Sequence, residues 1–152
     1  MTQYGTPERQ LPGVPHFRRV YAAATTLVEG DSGALLIFDA AAGYTITLPS
    51  SAPIGTWFDV TVDTTVTSVV ARLACPSGEF LKGTILQGQP TTFTQTARTA
   101  NGTTHLAWEG NGTTTGGIIG DDMKVIKDSA TTWRISGLNT ATGSTATPFK
   151  TS

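Results

Sequence analysis

A chain of 152 residues that is 38% hydrophobic but only 14% charged has the apolar content for one core, with far fewer charges than the roughly 25% of an average soluble protein. Its net charge of −1 and pI of about 6.0 exclude a basic face that could hold nucleic acid by neutralising phosphates. No apolar run approaches the roughly 20 residues of a membrane span, so neither nucleic acid nor membrane is an expected partner.

Threonine is the commonest residue type, and 17 glycines and eight prolines supply turns. No run of good helix formers reaches the roughly ten residues a globular helix needs. The composition predicts an all-β fold.

In chain order, residues 1–16 are polar, carry Pro7, Pro12 and Pro15, and show no periodicity. They read as an extended N-terminal arm, either a solvated tail or a segment that orders on a partner. Tyr4, Leu11, Val14 and Phe17 give it apolar anchors that a pure linker lacks. Together with the adjacent basic pair Arg18 and Arg19, these are the candidate partner-binding residues. The opening ten residues lack the pattern of a secretory signal. Cys75, the single cysteine, cannot form an internal disulfide. A reducing cytoplasm is therefore the expected site of synthesis.

The folded part is expected to begin at residues 17–21. Residues 34–38 are a continuous apolar run, suited to a strand buried on both faces or lying in a subunit contact. Residues 44–48 and 57–63 alternate strictly, with Tyr44, Ile46 and Leu48 on one face and Phe58, Val60 and Val62 on another. They predict two half-buried antiparallel strands separated by the turn around Pro49 and Pro53. Another strand is expected over 67–74. A hairpin is expected from 80–86 and 91–98, and a short strand over 105–108 after the Asn101-Gly102 turn. The Gly/Thr/Asn-rich stretch 110–120 predicts a flexible exposed loop. Residues 121–127 and 132–136 predict a last hairpin, with Met123 and Val125 facing Trp133 and Ile135. Residues 138–152 read as a flexible tail with Phe149 as an available anchor. Strand-like runs about every ten residues predict an antiparallel β-sandwich or barrel-like domain over 17–137.

Motifs with chemical meaning are few. Gly30-Asp31-Ser32-Gly33 matches the nucleophile tetrapeptide of chymotrypsin-like proteases. That chemistry needs an upstream histidine base, and only His16 precedes the match. A tight turn explains the four residues better. Asn101-Gly102-Thr103 and Asn111-Gly112-Thr113 fit the glycosylation sequon but serve equally as turns. Asp121-Asp122 lacks the spaced carboxylates of a calcium loop. His16 and His105 lie far apart with no cysteine cluster, which argues against zinc. Cys75 reads as a small buried apolar residue. Trp57, Trp108 and Trp133 suit core or interface, although one exposed in a groove could stack on a sugar. With no nucleophile–base pair, phosphate loop or metal set, the expected chemistry is contact: no enzyme and no cofactor.

The run Val28-Glu29-Gly30-Asp31-Ser32-Gly33, then Leu36 to Pro49, then Gly55 to Val62, resembles small structural proteins of tailed bacteriophages. In these an Asp-Ser-Gly turn precedes a strand, a Gly-aromatic strand ends in Leu-Pro, and a Gly-led strand follows. Residues 125–128 and 133–137 are similar to their closing hairpin. The resemblance spans about residues 19–137, and its motifs define strands and turns and not a site. It implies a head decoration (cement) protein: a β-rich body, made in the host bacterial cytoplasm, that binds the major capsid protein on the outer surface of the virion. It also implies a homo-oligomer, a trimer by analogy. The competing expectation is a tail-fibre or receptor-binding β-module that contacts host surface glycans.

Overall fold

The computed structural model describes residues 17–152, which form two mixed β-sheets packed face to face as an all-β sandwich. The first six strands alternate between the sheets. β1 (Phe17–Tyr21), β3 (Ala34–Phe38) and β5 (Trp57–Val62) lie parallel in one sheet. β2 (Thr25–Thr26), β4 (Thr45–Thr47) and β6 (Ala71–Ala74) lie parallel in the other. The chain therefore crosses the core at each connection and winds as a flattened coil.

This winding corrects one expectation. The alternating runs 44–48 and 57–63 are both strands, but they do not pair. Leu36 is in register with Val60, while Ile46 is in register with Leu73 across the core. The proline-bearing connection between them is a crossover and not a hairpin turn. The predicted buried faces do form: Ile46, Leu48, Phe58, Val60 and Val62 are fully buried. Period two specifies which side of a strand faces the core, and it carries no information on the neighbouring strand.

The second half of the chain closes the sandwich. β7 (Phe80–Gln89) and β8 (Thr94–Asn101) form the expected hairpin. β9 (Ala107–Gly110) runs antiparallel to β6. β10 (Asp122–Lys127) and β11 (Thr132–Thr140) form the last hairpin, with Val125 opposite Ile135. That hairpin slots between β5 and β7, giving the seven-stranded order β1-β3-β5-β10-β11-β7-β8. β12 (Phe149–Lys150) pairs with β9 and completes the five-stranded order β12-β9-β6-β4-β2. The stretch 138–152, expected as a tail, thus supplies the end of β11 and all of β12. Phe149 is buried against the core, as its apolar ring favours.

The Gly/Thr stretch before β10 is also built in, against the expectation of an exposed loop. Asn111 Oδ1 accepts from the backbone N–H groups of Thr113, Thr114 and Thr115 at 2.8–3.2 Å. Gln87 Nε2 donates to Thr114 O at 2.9 Å, and Asn139 Nδ2 donates to Thr115 O at 3.0 Å. Asp121 Oδ2 accepts from Gly117 N at 2.8 Å and Ile118 N at 3.2 Å, and its Oδ1 accepts from Thr140 N at 2.7 Å. A segment without large side chains can enter the body because polar neighbours satisfy its backbone. Asn101-Gly102-Thr103-Thr104 folds in the same way on the other side of β9, with Asn101 Oδ1 accepting from Thr103 N and Thr104 N at 3.0 Å.

Candidate interaction surface

Of the residues picked from sequence as partner contacts, Tyr4, Leu11 and Val14 lie outside the described residues. Phe17 opens β1, which is the outermost strand of the seven-stranded sheet. Arg18 and Arg19 follow on that strand and are exposed. Arg18 pairs with Asp63 at 3.7 Å, and Arg19 pairs with Asp31 at 3.2 Å. Exposed pairs of this kind stabilise a fold by about 1 kcal/mol at most. They do hold two basic side chains in place on one edge strand.

Two further features escaped the sequence reading, and they lie at diagonally opposite corners of the seven-stranded sheet. The first is the tip of the β7–β8 hairpin. Phe93 there is 94% exposed and has φ of +53°, a left-handed backbone that bulky side chains rarely adopt. The tip is tied by Thr92 N to Gln89 O at 3.2 Å and by a 2.8 Å contact between the Thr92 and Thr94 hydroxyls. The one signal in the sequence was an aromatic residue set among threonines in an otherwise polar turn.

The second is a shallow, open depression of about 480 Å³ between the 3-10 turn Glu29–Asp31 and the loop that enters β5. Its walls are Glu29, Gly30, Ser32, Pro53, Gly55 and Thr56. Gly55 N donates to Lys127 O at 2.8 Å, Thr56 N to Pro53 O at 3.1 Å, and Trp57 N to Ser32 Oγ at 3.2 Å. These bonds tie the loop that enters β5 to β10 and to the 3-10 turn. Val28 and Ile54, adjacent in sequence to the lining residues, are 61% and 69% exposed. The Ser32 hydroxyl of the protease-like tetrapeptide is thus engaged in holding a turn.

Among the described residues, one basic and one acidic side chain are buried, Lys127 and Asp121. Lys127, 2% exposed, forms an ion pair with Glu79, and Trp133 Nε1 donates to the same Glu79 oxygen at 2.6 Å. Burial, followed by the nearby Glu79 carboxylate, pushes the Cys75 thiol up to about 12, so it stays protonated and a poor nucleophile. Burial likewise raises Asp121 to about 6, against the opposing pull of its backbone N–H donors. His105 Nδ1 accepts from Asn101 N at 3.1 Å. Of the three tryptophans, Trp108 and Trp133 are fully buried, and Trp57 is half-buried with Lys124 Nζ 4.2 Å from its ring centre. Among the described residues no group of three His, Cys, Asp or Glu side chains is placed to hold a metal ion. None of their helices is long and apolar enough to cross a membrane. Compared with known proteins, the chain matches no family model, no curated protein and no solved structure.

Proposed function

We propose that this chain is a non-enzymatic structural protein of a tailed-phage virion, a decoration protein that binds the major capsid protein on the outside of the head and stabilises the shell. It acts as a homo-oligomer, a trimer in the simplest case. One observation carries the reading. The stretches that resemble phage structural proteins, 28–62 and 125–137, are far apart in sequence. Four of their strands, β3, β5, β10 and β11, are nevertheless consecutive neighbours in one sheet, while the fifth, β4, lies in the facing sheet. The adjacency of the four supports the reading. An edge strand bearing Arg18 and Arg19, continuous with residues 1–16, suits attachment through the N-terminal arm.

A ligand that binds only the intact shell stabilises it by about 2.7 kcal/mol per site at a hundredfold excess over Kd. Contacts to several neighbouring subunits add avidity. The experiment compares decorated and undecorated heads for DNA release on heating. Release at a higher temperature with protein bound, and labelled protein on the head in electron micrographs, are the expected results. Equal release temperatures with label on the tail would replace this reading by the receptor-binding one. The half-exposed Trp57 is the feature that favours that alternative, since its ring is the tryptophan within reach of a glycan.

A further inference from the structure

β8 ends the seven-stranded sheet, and among the described residues no strand pairs with its free edge. Natural proteins keep sheet edges short, charged or covered, because bare N–H and C=O groups invite another strand. The other edges here follow that rule. β2 and β12 have two residues each, and β1 has five and carries Arg18 and Arg19. β8 has eight residues and one charge, Arg98. Arg98 Nε donates to Gln87 Oε1 at 3.1 Å and its Nη2 to Thr145 Oγ1 at 2.9 Å, which ties that charge to β7 and to the loop before β12.

The ladder with β7 fixes which groups are free. Gly102 N donates to Leu81 O at 2.9 Å, and bonded pairs recur at every second position of an antiparallel ladder. In the register that follows, the bonded residues of β8 are Ala100, Arg98, Thr96 and Thr94. Gln95, Ala97, Thr99 and Asn101 therefore turn their N–H and C=O groups away from β7. Asn101 N accordingly donates away from β7, to His105 Nδ1 at 3.1 Å. Gln95, Ala97 and Thr99 are exposed, with their outward backbone groups in a row.

We infer that β8 pairs antiparallel with β8 of a second copy of this chain about a two-fold axis at Ala97, joining the two seven-stranded sheets edge to edge. The occupant is a second copy because β8 matches itself in this register. Ala97 faces Ala97, and Gln95 faces Thr99 on either side, so every outward N–H meets an outward C=O in about six hydrogen bonds. Arg98 faces Thr96, so no like charges are opposed. An axis at Arg98 would oppose the two arginines and call on Asn101, whose N–H is already engaged. An axis at Thr96 would call on Phe93, whose φ of +53° takes it out of the strand. The outer face agrees with the choice. Ala97 lies in register with Leu86, and Leu86 with Leu138, and the two leucines are 41% and 57% exposed. The axis joins this row to the same row of the second copy, with the small Ala97 side chains at the junction. Such a contact is isologous and closes at two molecules. The inference rests on the reading of the protein as a homo-oligomer, and any three-fold contact would use another surface.

The test is sedimentation equilibrium from about 1 to 100 μM, with circular dichroism as the check on folding. Ala97→Lys and Ala97→Glu each place two like charges against one another at the axis, on a side chain that is exposed in the monomer. Ala97→Pro removes an outward N–H and no bond to β7, a position where an edge strand tolerates proline. The wild type is expected to pair, and each variant to do so at least tenfold more weakly. An equimolar mixture of the Lys and Glu variants is expected to pair again, since only a contact of residue 97 with itself is restored by opposite charges. A mixture that fails to pair, or Ala97→Lys associating like the wild type, would overturn the contact while leaving the homo-oligomer reading in place. A monomeric wild type would overturn both.

Discussion

Asp121 is 1% exposed, and its carboxylate holds three backbone N–H groups that close the sandwich over the Gly/Thr stretch. Its pKa of about 6 lies above the ordinary carboxylate value of 3.8, with burial as the largest cause. The native state therefore keeps this proton at pH values where the unfolded chain has released it. The Asp121 contribution to stability is greatest below about pH 4 and falls as pH rises through 6, by up to about 3 kcal/mol. Burial and the nearby Asp59 raise neighbouring Asp122 as well, which adds slope of the same sign. Thermal unfolding of the wild type and Asp121→Asn between pH 4 and 7 checks this. The wild type should lose stability relative to the variant across that window, even though the variant starts lower for want of an acceptor facing Thr140 N. In sequence the pair Asp121-Asp122 is visible only as two adjacent acids. That one is buried and the other exposed depends on the strand beginning between them, and adjacent residues on a strand face opposite sides.

At the scale of elements, the side of each strand facing the core was legible because apolar and polar residues alternate over 44–48, 57–62 and 122–127. Two hairpins, 80–101 and 122–140, were legible because their strands are consecutive and joined by short turns. The parallel neighbours β3/β5 and β4/β6 were not, since register across a crossover is set by packing of the two sheets and leaves no local mark. The Gly/Thr stretch was misread for a related reason. Its composition signals freedom in isolation, and beside the local acceptors Asn111 and Asp121 it is fixed by Gln87 and Asn139, which are supplied from elsewhere in the chain. Two glycines of this stretch separate conformation from space. Gly112 has φ of +76°, and a Cβ there would come within 1.8 Å of Val66 O. Gly120 has φ of +91°, with nothing within 4 Å of its Cβ. Gly112→Ala should cost about 3 kcal/mol or more, because backbone strain adds to a clash with main chain that cannot yield. Gly120→Ala should cost about 1–2 kcal/mol from the left-handed backbone alone. Urea titration of the two variants measures the difference.

The described residues form a parallel coil of three strands per sheet, completed by the β7–β8 and β10–β11 hairpins with β9 and β12. β5, β10 and β11 have paired neighbours on both sides, whereas β2 and β12 are two-residue strands at the outer limits of their sheet. Native-state amide exchange should therefore be slowest in β5, β10 and β11 and fastest in β2 and β12. Uniform protection across all strands would contradict this. The order of the seven-stranded sheet also bears on how the chain is made. β5 and β7 are synthesised well before the hairpin that separates them, so a growing chain holds two half-sheets with bare hydrogen-bonding edges facing each other. Those edges are liable to pair wrongly or with other chains. Only when residues 122–140 have left the ribosome can the gap be filled. A chain interrupted before that point would keep both edges bare, which makes the emergence of residues 122–140 the step on which closure of the seven-stranded sheet depends.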